Sequence, residues 1–160
     1  MAYTYGLGGI NKYRFDVYIR AQASYTAPSS DSDVTTLIGT GTKIGKLEDK
    51  SVELNLEPND QVELNDGSKK TLDWMGSITL KDMNVSEDNI SELTSSYDGV
   101  DVDVILYDSN NNLIIAVKDF TAQIQENWKS GDLSALTIKG EKKVNAKDVF
   151  REITYTGSFA

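Results

Sequence analysis

Apolar and polar residues alternate with period two over most of the chain, the spacing of strands with one face buried and one face wet. In Ser51–Leu56 the side chains of Val52, Leu54 and Leu56 share one face, while Glu53 and Asn55 share the other. Pro58-Asn59-Asp60 predicts a break, Val62 and Leu64 resume the alternation, and the Asp-Gly pair in Asn65-Asp66-Gly67-Ser68 suits the positive φ of a tight hairpin turn. A further strand is expected over Gly76–Met83, with Ile78 and Leu80 in register and Trp74-Met75 at the core or its edge. Val100–Val104 alternates, which puts Asp101 and Asp103 together on an outer face as solvated charges; Ile105-Leu106-Tyr107 then runs continuously apolar. A strand that changes in this way is covered on both faces in its second half, and so is central. Leu113–Val117 reads as its return strand and Phe120–Trp128 as a continuation or another strand. The last strands are expected around Leu133–Ile138 and Val149–Tyr155, separated by a charged linker from Lys139 to Lys147.

One segment has helical spacing. Ser86 is a candidate N-cap, Glu87 and Asp88 place negative charge in the first turn, and Ile90, Leu93 and Tyr97 recur at i, i+3 and i+7 before Gly99. Between the first strand, Lys12–Gln22, and the strong patterning that begins near Lys46 lies a polar stretch, Ala23–Gly45, rich in Ser, Thr and Gly. Compact domains rarely carry a structureless connection longer than about 15 residues unless it is disordered or used for contact. The stretch holds apolar, β-prone residues, Val34, Leu37, Ile38 and Ile44, so it has something to bury on a partner. It reads as an extended assembly loop over 23–45; the competing reading is a surface loop packing a few side chains on its own domain. Together these elements predict one domain, mainly β, a β-sandwich or small β-barrel with one short flanking α-helix.

A chain of 160 residues is long enough for one sizeable core. It has no cysteine and no histidine, which removes thiolate chemistry, the commonest general base and the commonest metal ligand. The opening Met1–Gly6 has neither a basic n-region nor an apolar h-region, and no later stretch approaches a spanning length, so the expectation is a soluble protein made inside the cell. The formal net charge is −9, with acids spread along the chain, a surface that repels phosphate backbones and could face DNA without holding it.

Little catalytic chemistry can be assembled. Asp108, Asn110 and Asn112 resemble the start of a calcium loop, but Leu113 stands where glycine is needed and Asp119 replaces the bidentate glutamate, so the segment reads as a polar turn. The glycines of Gly6–Gly9 and Gly39–Gly41 match no phosphate-binding spacing. Tyr3, Tyr5, Tyr13 and Tyr18 give the N-terminal region an aromatic density suited to an interface or to sugar stacking. The expectation is a non-enzyme with no cofactor and no metal.

The order of parts resembles a phage major tail tube protein: a flexible N-terminus, an early strand, a long loop, Thr42-Lys43-Ile44-Gly45-Lys46-Leu47-Glu48 leading into alternating strands, one helix around Ser86–Tyr97, and closing hairpins. Asn65-Asp66-Gly67 and the Leu106-Tyr107-Asp108 strand end are similar in texture. The resemblance implies a virion structural protein, made in the host cytoplasm, that forms hexameric rings stacked into a hollow tail tube. Its partners would be copies of itself, other tail proteins and DNA passing through without specific binding; no membrane is implied. On this reading an N-terminal arm, 1–11, and the 23–45 loop bridge subunits, with Tyr3, Tyr5, Ile10, Val34, Leu37, Ile38 and Ile44 at the contacts. Two alternatives stay open: another phage structural protein, for head decoration or tail completion, and a carbohydrate-binding or adhesin-like β-sandwich.

Overall fold

The computed structural model describes residues 14–48, 52–84, 87–110, 112–127 and 135–156. The chain order is β1 (Arg14–Ala21), α1 (Asp31–Gly39), β2 (Thr42–Glu48), β3 (Val52–Glu63), β4 (Lys69–Asn84) and α2 (Glu87–Tyr97). β5 (Asp101–Asp108), β6 (Leu113–Thr121), β7 (Gln123–Asn127), β8 (Ala135–Val144), α3 (Lys147–Phe150) and β9 (Arg151–Tyr155) complete it. Among the described residues nine strands form two antiparallel sheets: sheet A in the order β2-β1-β5-β6-β9 and sheet B in the order β3-β4-β8-β7. Neither closes on itself, so of the two architectures expected the fold is the sandwich.

Alternation builds the main core. Phe15, Val17 and Ile19 of β1, Val102, Val104 and Leu106 of β5, and Ile78, Leu80, Leu136 and Ile138 of sheet B meet between the sheets. β5 is central in sheet A and buried on both faces, as its continuous apolar run predicts. Its second face is covered by α1, where Val34 and Leu37 pack on Ile105 and Ile114 to make a separate small core. At two points an aromatic ring lies too close to sheet B for a side chain there. A Cβ at Gly76 would overlap the Phe150 ring, and one at Gly140 would overlap the Phe120 ring.

Four local expectations are revised. The stretch 23–45 is not an extended loop: it holds α1 and the first residues of β2. Pro58 does not end β3, because β3 is an edge strand where a missing N–H is tolerated; the register shifts around Asp60 instead. Residues 139–144 are not a linker but continue β8, whose inward positions are Gly140, Lys142 and Val144, an alternation that composition disguises. Asp103 is not solvated but 1% exposed. The expected helix is present as α2; Ser86, its expected N-cap, lies outside the described residues.

Candidate assembly surfaces

The loop that was expected to reach outward is tied down by charge. Arg20 and Asp103 are direct cross-strand partners on β1 and β5. Arg20 Nε donates to Asp103 Oδ2 at 3.0 Å, and the guanidinium also donates to Thr40 Oγ1 at 2.7 Å and to the Ser24 carbonyl at 3.4 Å. Ser24 and Thr40 stand at the entry and exit of the α1 excursion, so one side chain closes its base. Asp103 also accepts from the backbone N–H of Ala23 and of Asp119, at 3.2 and 2.8 Å. α1 is capped reciprocally: Ser30 Oγ accepts from the Asp33 N–H, while Asp33 Oδ2 accepts from Ser29 N–H and Oγ. Those bonds from Ser29 hold the Asp33 carboxyl below its usual range.

Of the residues expected at subunit contacts, Val34, Leu37 and Ile44 are buried within the chain and Ile38 is half-buried beside α1's small core. In this state they serve the fold. Tyr3, Tyr5 and Ile10 lie outside the described residues.

Among the described residues the surfaces left open include sheet edges and one projecting ribbon. β2 and β9 bound sheet A, while β3 and β7 bound sheet B, and strand edges are templates for another strand. β8 accompanies β4 only as far as the Trp74–Val144 pair, so residues 59–73 continue as a two-stranded ribbon. Its turn is built locally: the Gly67 N–H donates to the Leu64 carbonyl at 2.9 Å with φ +84°, and Asp66 Oδ1 accepts from Ser68 N–H and Oγ. Those two bonds also hold Asp66 below the usual carboxylate range. At the base of the ribbon Asp73 Oδ1 accepts from Asn59 Nδ2 and the Asp60 N–H, and Lys143 Nζ lies 3.3 Å from Asp73 and 3.5 Å from Asp60. Burial alone would raise Asp73; the bonds from Asn59 and Asp60 together with Lys143 outweigh it and hold the carboxyl below its ordinary value. The same pairing raises Lys143. Along the ribbon Val62, Leu64 and Leu72 are exposed.

The outer face of sheet B is polar. By register it presents Glu53, Asn55 and Glu57 from β3, Thr79, Ser77, Met75 and Asp73 from β4, Lys139, Glu141 and Lys143 from β8, and Gln123 and Gln125 from β7. Carboxylates outnumber ammonium groups there, and among these residues there is no aromatic ring for a sugar to stack on. A shallow depression of about 360 Å³ lies on this side, between Thr79, Gln123 and Glu141. A cleft of about 210 Å³ separates β2 from α2, lined by Ile44, Leu93 and Tyr97 with Lys43 and Glu92. Among the described residues no three acidic groups converge as a metal site.

No family model matches the chain, and no curated protein matches it. Among solved structures it is similar to the crystal structure of Hcp1 from Salmonella typhimurium, at 10% identity and a TM-score of 0.34, over 91% of this chain and 97% of that one. A likeness at that level does not bear on function.

Proposed function

We propose that this chain is a structural subunit that assembles with copies of itself into rings stacked as a hollow tube, the tail tube of a phage, and that it is not an enzyme. One relationship carries the reading. Sheet B has four antiparallel strands, so its edges β3 and β7 run in opposite directions. When copies are related by rotation about an axis along the strands, β7 of one meets β3 of the next antiparallel, and the sheet continues around the ring without a change of pattern. Sheet A has five strands, so the same operation would bring β2 and β9 together parallel, the slightly less stable pairing. Ring closure through sheet B also removes its exposed edges.

The face that would line such a ring is the polar outer face of sheet B. Its excess of carboxylates suits a conduit for DNA, because tight binding to a phosphate backbone depends on cationic side chains that displace counterions. A sugar-binding sandwich is less well supported, since that face lacks aromatic residues among those described. The N-terminal arm and the virion location belong to the same proposal.

Negative-stain electron microscopy across a concentration series, paired with mass in solution, tests it. Rings or hollow tubes are expected; a strict monomer at every concentration would overturn the proposal.

A further inference from the structure

Among the described residues the large hydrophobic side chains left exposed fall into two groups, with Val100 apart. Val62, Leu64 and Leu72 lie on the β3–β4 ribbon, while Val149, Ile153 and Tyr155 lie on α3 and β9. Ile153 and Tyr155 sit opposite Ile115 and Leu113 of β6 in the register, so they continue the inward face of sheet A onto its last strand. There they remain 39% and 64% exposed. The two groups belong to different sheets, and each comes with a strand that ends its sheet among the described residues, β3 in one case and β9 in the other.

We propose that the ribbon of one copy docks on the α3–β9 edge of a second copy. An isolated two-stranded ribbon is marginal in water, and this one projects past the strand that supports its base. Docking would cover its apolar residues against the second group and offer edge pairing to its backbone. Charge does not oppose the contact: four carboxylates and two ammonium groups lie between residues 59 and 73, whereas Lys147, Asp148, Arg151 and Glu152 around the β9 group sum to zero. The contact joins two unlike patches, so unless two copies exchange ribbons reciprocally it is heterologous and propagates from copy to copy. It leaves the body of β3 free: β3 has 12 residues against five in β7, and its ribbon half lies beyond the part that sheet B holds. The inference rests on the self-assembly reading and names a second contact within it.

The chain has no cysteine, so Leu64→Cys and Tyr155→Cys each introduce a single thiol, and a disulfide between them must join two copies. Mixed under oxidising conditions, the two variants are expected to form the mixed disulfide well above a control pairing of Leu64→Cys with Thr36→Cys on the exposed side of α1. Leu64→Asp with Leu72→Asp is expected to weaken association about tenfold or more. Tubes that form with no mixed disulfide above the control, or association unmoved by the double aspartate variant, would overturn the docking and leave the tube proposal standing. Mixed disulfides in small closed oligomers would support the docking and sink the tube. A wild-type protein that stays monomeric at every concentration would remove both.

Discussion

Arg20 and Asp103 face each other across β1 and β5, and their ion pair is also the clasp on the α1 excursion. The carboxylate accepts three hydrogen bonds, from Arg20 Nε, Ala23 N–H and Asp119 N–H, while the guanidinium reaches Ser24 and Thr40. Removing one partner of a buried pair strands the other charge, at about 3–5 kcal/mol. Asp103→Ala is therefore expected to lower stability by that order in urea unfolding and to speed amide exchange over residues 22–41. Arg20→Met with Asp103→Leu should recover part of the loss, because no charge is then left unpaired. A loss in the double variant equal to the sum of the losses in Arg20→Met and Asp103→Leu alone would mean that the pair is not coupled.

That pair was legible only in part. The period-two pattern identified most of the strands, the central place of β5 and the hairpin at Asp66-Gly67, but not the second half of β8. It misassigned Asp103, because alternation names a face and cannot say what covers it; Arg20 and the backbone of Ala23 and Asp119 close over the carboxylate. The helix signals were present: Ser30 before Asp31 and Asp33, then Val34, Leu37 and Ile38 at i, i+3 and i+4. They were outweighed by the β-branched Val34-Thr35-Thr36, whose threonine hydroxyls in fact bond back to the carbonyls of Asp31 and Ser32. The open ribbon was equally hidden, since nothing in Val62, Leu64 or Leu72 says that β8 stops at Val144.

Gly140 marks the closest approach of β8 to Phe120, whose ring is fully buried on β6. Gly140→Ala has no room without moving that ring, so it is expected to cost about 1–3 kcal/mol by overpacking. Gly67→Ala, at φ +84° in open solvent, should cost only about 1 kcal/mol by backbone strain. Denaturant midpoints for the two variants check the order. A Gly140→Ala protein as stable as wild type would show that the sheets are not pressed together there.

The base of the ribbon depends on acid in a defined direction. Asp73 is held below its ordinary 3.8 by the bonds from Asn59 and Asp60 and by Lys143. A carboxyl depressed in the folded state adds stability above that ordinary value, and the contribution is lost as pH falls through the folded one. Amide exchange in residues 59–73 is therefore expected to rise relative to the sandwich body as pH drops below 3.8. An NMR titration of Asp73 should find its midpoint below that value, and Asn59→Ala should move it upward. A midpoint at or above 3.8 in wild type would contradict the geometry.

The outer face of sheet B gives the conduit reading its sharpest consequence. Glu53, Glu57 and Glu141 are exposed there, so replacing all three by lysine should leave the fold within about 0.5 kcal/mol per site of wild type. If copies close through β3 and β7, this face either lines the tube or coats it, and the two cases separate by access. Lysines inside a tube would hold DNA that enters from an end but leave the outer wall inert to added duplex; lysines outside would decorate the wall. In either case retention should fall steeply with salt, because each phosphate contact releases counterion. Preformed variant tubes mixed with long duplex and imaged at low and high salt distinguish the two. Duplex bound along the outer wall would place sheet B outside, and the conduit would then have to be lined by sheet A and α1.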